Sequence, residues 1–370
     1  MLREAAVAPE TYPRRIASLI LLSFRAQWIF FAVPILYLGT NWLMLSRLPA
    51  HGVAPVYGLL LDLLTFALPV GFIVVILLRL FQYAVIERPA SPLRALAGET
   101  RDLALRPARL INALPVLVAL IFFNKAMVEL KPAIPAINPF SWDRAFMELD
   151  RTLHFGFDPW VLLQPLMGFD AITWFINTVY NFWFVALFGA WFWFGFRKEA
   201  SAVRTQFFVA YMLIWWVGGG LMAVAFSSAG PVYYSGIGLS SDPFTGLMAY
   251  LHDVDSRIPI WCLKTQQLLW DGYQGKVAAL GISAFPSMHN ASAVLFAVAT
   301  WKVSRPVGWF FALYAALILL GSVHLGWHYA VDGYAGIALG LLGWWVAGPI
   351  ARWFSDLETT RRYNQALASL

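Results

Sequence analysis

Charged residues are scarce in this sequence. Only 12% of its 370 residues are Asp, Glu, Lys or Arg, whereas 60% are hydrophobic, with 29 Phe and 18 Trp. A soluble domain carries about 25% charged residues. This shortage excludes an ordinary soluble enzyme, and a mean hydropathy of +0.66 over the whole length predicts an integral membrane protein.

Cysteine and targeting signals are also nearly absent. The single cysteine, Cys262, excludes an intramolecular disulfide, so the fold needs no oxidising compartment. The N-terminal stretch MLREAAVAPETYPRR lacks the apolar core and cleavage site of a signal peptide, so we expect the first span to direct insertion. No repeat of solenoid length and no low-complexity tract is present, which excludes repeat architectures.

Long apolar runs predict an all-α, polytopic membrane helix bundle. A bilayer core requires about 20 apolar residues per helix. The eight predicted spans are residues 27–46, 56–81, 109–128, 171–196, 206–228, 286–303, 307–325 and 331–353.

The loops between these spans differ in charge. The N-terminal arm, alternate loops and the C-terminal tail are basic, so we expect both chain ends to be cytoplasmic and the net charge of +6 to reflect loop bias and not nucleic-acid binding. The basic positions are Arg3, Arg14, Arg15, Arg25, Arg88, Arg94, Arg101, Arg106, Arg197, Lys198, Lys302, Arg305, Arg352, Arg361 and Arg362. Segment 87–108 reads as a basic surface helix. Two long acidic loops, 129–170 and 229–285, face the other side and contain amphipathic pieces that we expect to lie at the interface.

Ionisable side chains cluster at the outer ends of the last three spans. His289 follows Pro286 and Ser287 at the start of the sixth span, where free first-turn amides suit phosphate. His324 and His328 lie at the junction of the last two spans, and Asp332 follows His328 by four residues. We therefore expect one site, facing the periplasm, lumen or exterior.

These residue types suit phosphoryl transfer. A neutral imidazole can attack phosphorus, and an aspartate one helical turn away can orient it. A second imidazole can protonate the leaving oxygen. A different possibility is that His289, His324, His328 and Asp332 bind a divalent metal, such as zinc, in a metalloenzyme or transporter.

The two motifs carry a family resemblance. FPSMH (285–289) resembles the Pro-Ser-X-His motif, and HYAVD (328–332) the terminal His-X-X-X-Asp motif, of the type 2 phosphatidic acid phosphatase (PAP2) superfamily. The resemblance implies a nucleophile at His328, an acid/base at His289 and an orienting residue at Asp332. The chemistry that the resemblance implies needs no metal or other cofactor. It also implies a catalytic core at 109–353, preceded by an arm, two spans and the basic segment at 1–108 and followed by a tail at 354–370.

The sequence departs from the phosphatase pattern in its cations. No Lys-X6-Arg-Pro motif occurs, and Ser322 stands where that branch has an arginine. The pattern is more similar to the inositol phosphorylceramide and sphingomyelin synthase branch, which transfers lipid phosphoryl head groups. Candidates for substrate or phosphate contact are Ser287, His324, Tyr329, Lys264 and Lys276, with Arg257 also considered for the missing cation.

The expected activity is therefore transfer of a phosphoryl-bearing head group from a lipid donor to an alcohol or lipid acceptor. The alternative is a lipid phosphatase that uses water as the acceptor. Vanadate haloperoxidases share these motifs but are mostly soluble, which argues against them here. We expect the membrane and its lipids as partners and no nucleic acid.

Overall fold

The computed structural model describes residues 12–46, 48, 60–278 and 280–370, which form helices and no strand. The main helices are α1 (Tyr12–Ala26), α2 (Ile29–Leu45), α3 (Leu68–Gln82), α4 (Pro92–Leu105), α5 (Pro107–Leu130), α6 (Asp143–Leu153), α7 (Pro159–Met167), α8 (Asp170–Asn181), α9 (Trp183–Gly195), α10 (Ala202–Trp216), α11 (Thr245–Arg257), α12 (Trp261–Tyr273), α13 (Met288–Trp301), α14 (Arg305–His324), α15 (Ala330–Asp356) and α16 (Glu358–Ala368). Arg3 and residues 56–59 of the second predicted span lie outside the described residues.

The predicted polytopic helical bundle is confirmed, with fewer spans than expected. Within the described residues six segments are long and apolar enough to cross a membrane, namely Leu60–Gln82, Pro107–Ile137, Asp170–Gly195, Ala202–Ala225, Arg305–His324 and Ala330–Asp356. Helices α1 and α2 add a seventh if the pair, bent by 57°, forms one broken span. The difference from eight lies mainly at α13, whose 14 residues extend only about 21 Å.

Helix α13 can be short because other helices surround it. It packs against α10, α14 and α15, and most of its residues are buried. Two glycines of α15 permit backbone contact, since a Cβ on Gly340 would lie 2.6 Å from the Ala291 carbonyl oxygen and one on Gly336 would collide with that of Ser287. Gly336 and Gly340 therefore permit the close packing of α13 and α15.

The directions of three helices bring the motifs to one end of the bundle. Helices α13 and α15 begin there, and α14 ends there. Residues 325–329 separate α14 from α15, as predicted. The helices of the two long loops (α6, α7, α11 and α12) lie at this same end, and α6 packs against α15. We call it the histidine end.

The opposite end contains most of the arginines in the described part of the chain. The buried Arg204 guanidinium joins three elements there, by donating to Gln27 Oε1 at 2.7 Å, the Asn112 carbonyl at 2.6 Å and the Phe194 carbonyl at 3.1 Å. The C-terminal segment is folded onto this end. Helix α16 packs against α1, with Tyr363 buried in their joint apolar cluster.

Candidate active site

The Pro-Ser-X-His segment forms the start of α13. Ser287 is the N-cap residue, and its hydroxyl accepts hydrogen bonds from the Asn290 backbone N–H at 3.5 Å and from Asn290 Nδ2 at 3.0 Å. The Ser287 backbone N–H donates to the Asp332 carbonyl at 2.9 Å. Ser287 therefore caps the helix and links the two motif segments.

His328 and Asp332 face each other across the first turn of α15. His328 Nδ1 lies 3.4 Å from Asp332 Oδ2, which also accepts a hydrogen bond from the Tyr329 backbone N–H at 3.0 Å. Burial lowers the pKa of His328 to about 4, the Lys131 charge acts in the same direction, and a backbone hydrogen bond at Ala284 opposes the shift. The ring is therefore neutral at pH 7, the protonation state that a nucleophile requires.

His289 lies in an aromatic setting opposite His328. Its ring stacks on Tyr180 with a centroid separation of 4.8 Å and lies 4.4 Å from the Trp183 ring. The centroids of His289 and His328 are 6.5 Å apart. Reacting atoms approach to about 3–3.5 Å before bond formation. A phosphoryl group between the two rings could therefore contact both imidazoles.

Lys131 is a candidate cation near this pair. It follows directly on α5 and starts the short 3₁₀ turn Lys131–Ala133. Burial lowers the pKa of His289 well below its ordinary value of 6.5, and the charges of His328 and Lys131 act in the same direction. The loop before the first motif rests on it. A Cβ at Gly281, where φ is +84°, would lie 2.5 Å from the Lys131 carbonyl carbon, so this position requires glycine. The sequence analysis missed Lys131, although a lysine directly after an apolar span, on the predicted histidine side, was a usable signal.

The other predicted cations lie on the surface. Lys276 pairs with Asp271 at 3.0 Å, and Lys264 is exposed on α12. Arg257 pairs with Asp170 at 2.7 Å and with Asp253 at 2.6 Å. Among the described residues, no hydrogen bond or ion pair joins any of these three side chains to His289 or His328.

His324 and Tyr329 are buried in the structure but bond away from the histidine pair. His324 Nε2 lies 2.9 Å from Thr173 Oγ1, which in turn lies 2.6 Å from the Tyr250 hydroxyl. The Tyr329 hydroxyl donates to Asp143 Oδ1 at 2.9 Å. His324 Nε2 and the Tyr329 hydroxyl therefore bond away from the pair, whereas the buried His324 Nδ1 has no hydrogen-bond partner among the described residues.

Two carboxylates of α6 position the loops of the site. Asp143 accepts from the backbone N–H groups of Ala229 and Gly230 at 2.8–3.0 Å, in addition to Tyr329. Asp150 accepts from the first-turn N–H groups of Ala330 and Val331 at 2.7 and 2.9 Å. Burial raises the pKa of Asp143 and also raises the pKa of Asp150, the latter to about 7. In both residues the hydrogen bonds to the carboxylate oppose this rise.

The loop after the α10 span holds the two motif segments together. The Ser228 carbonyl accepts from the Ala284 N–H at 2.9 Å, and the Val232 N–H donates to the Gly326 carbonyl at 3.1 Å. Gly230 has φ +101°, and a Cβ there would lie 2.7 Å from the Trp327 carbonyl oxygen. Only glycine fits this contact. Residues 227–234 thus follow shortly after the Ala202–Ala225 span.

The geometry does not assemble a metal centre. Among the described residues, no three His, Cys, Asp or Glu side chains converge in a way that could hold a metal ion. His324 contributes to this result because its ring faces Thr173 and not Asp332.

One of three comparisons with known proteins gives a match. Residues 144–346, more than half of the chain, match a family model described as the PAP2 superfamily. Neither the comparison with curated proteins nor that with solved structures gives a match.

Proposed function

This chain belongs to the PAP2 superfamily, and on that premise we propose that it is a membrane lipid phosphotransferase. It moves a phosphoryl-bearing head group from a lipid donor to an alcohol or lipid acceptor through a phosphohistidine at His328. The observation that carries the proposal is the facing pair of imidazoles, 6.5 Å apart, with Asp332 3.4 Å behind one of them.

Each residue of the site has a role in the proposed mechanism. Asp332 accepts a hydrogen bond from the Nδ1–H of His328 and stays a carboxylate, so Nε2 carries the lone pair that attacks phosphorus. The P–O bond to the lipid breaks as the N–P bond forms, and His289, which enters this step as the imidazolium, protonates the departing oxygen and becomes neutral. In the second half, His289 takes the proton of the acceptor hydroxyl, whose oxygen displaces His328 from phosphorus. Lys131 stabilises the negative charge on the phosphoryl oxygens.

The limited exposure of the two histidines favours transfer over hydrolysis. His328 is only 8% exposed, and His289 lies against the rings of Tyr180 and Trp183. A site that excludes bulk water limits hydrolysis of a reactive intermediate and leaves it available to a bound alcohol.

Hydrolysis is the second candidate, and Lys131 favours it. The argument for a transferase from the sequence was the absence of the phosphatase cations. Lys131 lies near both histidines and partly compensates for that absence. A lipid phosphatase mechanism would therefore still have a cation to contact the phosphate. We propose membership of the inositol phosphorylceramide and sphingomyelin synthase branch only as part of the transferase proposal.

The test uses detergent-purified protein with phospholipid and polyprenyl-phosphate donors, each with and without ceramide or diacylglycerol. Released phosphate and new phospholipid are measured together. His328→Ala is the inactive variant, and His252→Ala, which changes an exposed histidine, is its matched control. New lipid that depends on the acceptor establishes transfer, whereas phosphate release that ignores the acceptor establishes a phosphatase. Activity that survives in His328→Ala would exclude both mechanisms.

A further inference from the structure

An open cavity lies at the opposite end of the bundle from the histidines. It has a volume of about 410 Å³ and is lined by α3, α4, the start of α5 and the end of α9. Lys131 follows Arg109 by 22 residues along the α5 helix and its short continuation, which is about 33 Å at 1.5 Å per residue. The cavity and the proposed active site are therefore separated by about one bilayer thickness.

The cavity is lined by both apolar and charged side chains. Phe72, Val75 and Phe192 are among the apolar ones, and four cations, Arg109 and Lys198 among them, outnumber two carboxylates. A groove with this lining matches a phospholipid, whose acyl chain contacts apolar side chains while its phosphate meets the cations.

The carboxylates around the cavity are already paired. Glu99 accepts two hydrogen bonds from Arg79 at 2.9 and 2.5 Å, and Asp102 pairs with Arg106 at 3.0 Å. In the described part of the chain, no ion pair to a carboxylate is formed by the three other cations of the cavity, Arg109, Arg197 and Lys198. The local excess of positive charge is theirs.

Two of these cations are positioned by contacts of their own. Arg109 Nη1 donates to the Phe196 carbonyl at 3.1 Å, but its buried Nε has no hydrogen-bond partner. The Arg197 guanidinium lies 5.9 Å from the Trp193 ring centroid, which orients it over an aromatic face. Arg109 also lies close enough to Arg106 and Arg197 to experience their charges, and those of Asp102 and Glu99 act in the opposite direction. A buried guanidinium N–H without an acceptor, beside like charges, is stabilised when an anion binds.

We propose that this cavity binds one anionic phospholipid from the leaflet opposite the active site. Its phosphate is held by Arg109, Arg197 and Lys198, and an acyl chain contacts the wall formed by α3 and α9. The lipid joins the N-terminal helices to the catalytic core, because α3 and α4 line one side of the cavity and α5 and α9 the other. It occupies a binding site, not a substrate site, since the histidines lie at the other membrane face.

Native mass spectrometry of the full chain in detergent tests this proposal. The probes are phosphatidylglycerol, phosphatidylcholine and glycerol 3-phosphate, which separate the anionic lipid from a zwitterionic lipid and from a free phosphate. We expect one phosphatidylglycerol to bind at least tenfold more tightly than phosphatidylcholine. Arg109→Gln/Arg197→Gln/Lys198→Gln should lose at least tenfold, since several hydrogen bonds to a charged group disappear.

The control removes the same charge elsewhere at the same end. Lys302→Gln/Arg305→Gln/Arg361→Gln changes three exposed cations outside the cavity and should bind phosphatidylglycerol as the wild type does. Equal loss in both triple variants would show nonspecific attraction to a basic surface and overturn the proposal. Equal binding of the two lipids, or binding of glycerol 3-phosphate as tight as that of phosphatidylglycerol, would do the same.

A milder variant guards against misfolding of the triple variant. Lys198 is exposed, so Lys198→Glu should fold normally. It should weaken phosphatidylglycerol binding about fivefold, because charge reversal replaces an exposed attraction with a repulsion. Unchanged binding in a folded Lys198→Glu protein would remove Lys198 from the site and contradict the proposed phosphate contact.

Discussion

Substitution of Tyr329 separates a supporting role from a substrate-binding role. The Tyr329 hydroxyl is buried and donates to Asp143 Oδ1 at 2.9 Å, and Asp143 also binds the N–H groups of Ala229 and Gly230. Tyr329→Phe removes this hydrogen bond, whereas the hydrogen bonds from the two backbone N–H groups to Asp143 remain. Because hydrogen bonds to charged groups contribute about 1.5–3 kcal/mol, we expect a loss near the lower limit, about 1.5 kcal/mol.

The loss should depend on pH in a defined direction. Burial raises the folded-state pKa of Asp143 above its ordinary value of 3.8, and the Tyr329 hydroxyl opposes this shift. An acid with a raised folded pKa destabilises the fold progressively as pH rises from the unfolded value through the folded one. Tyr329→Phe raises that folded pKa further, so the variant should be more strongly destabilised at pH 8 than at pH 5.

The assay is thermal melting in detergent at pH 5 and pH 8, together with steady-state kinetics. The matched control is Tyr233→Phe, which removes an equally buried hydroxyl that donates to the neutral Gln266 carbonyl at 2.9 Å. The destabilisation of this control should not vary with pH. For Tyr329→Phe we expect KM within about threefold of wild type and kcat reduced by no more than about tenfold. An unchanged melting temperature with a large rise in KM would refute the supporting role and restore Tyr329 as a substrate ligand.

The remaining predictions concern the cation, the orienting carboxylate, the nucleophile and the opposite end of the bundle. Lys131→Met should lower kcat/KM about 10²–10³-fold, as loss of one transition-state donor does, whereas Lys264→Met should not; equal effects would remove Lys131 from the site. Asp332→Asn should lower kcat about 10⁴-fold with little change in KM, measured in the same lipid assay, because the tautomer of His328 is no longer imposed. Since the pKa of His328 is lowered to about 4, its protonation should not reduce kcat/KM between pH 7 and pH 5, and phosphohistidine formation should persist over that range. Arg204→Met should lower the melting temperature without shifting KM, because three buried acceptors far from the histidines lose their donor, at a cost of about 1–3 kcal/mol of stability each.

Several features of the site could be predicted because the information lies in contiguous residues. Ser287 caps α13 within its own first turn, and Asp332 faces His328 across one turn of α15. The shared position of His289 and His328 at one membrane face followed from counting spans. Each of these relations spans few residues or depends only on helix length, so the apolar pattern and local spacing suffice.

The short central helix shows where composition misleads. Residues 286–303 resemble a full span, but α13 has only 14 residues and is covered by neighbouring helices. An apolar run indicates that a helix is buried and does not say whether lipid or protein covers it. Two glycines of α15 in backbone contact with α13 decide this case.

The roles of single polar residues depended on contacts between distant segments. His324 and Tyr329 lie within five residues of His328, yet their partners come from distant segments. Tyr329 bonds to Asp143 of the first long loop, and His324 bonds to Thr173 of the helix that follows this loop. Lys131 is far from both motifs in the chain and enters the site because α5 ends where the motif loops pack.

The amino-acid pattern alone was sufficient for the membrane class, the helical bundle and the meeting of His289, His328 and Asp332 at one end of it, because hydropathy and helical spacing act locally. Tertiary packing alone selected Lys131 as the nearby cation, engaged Tyr329 with Asp143, and formed the cationic cavity at the opposite face. Those outcomes depend on which helix ends pack together in the fold. This packing determines which charged group lies closest to a side chain, because the groups concerned are distant in the sequence.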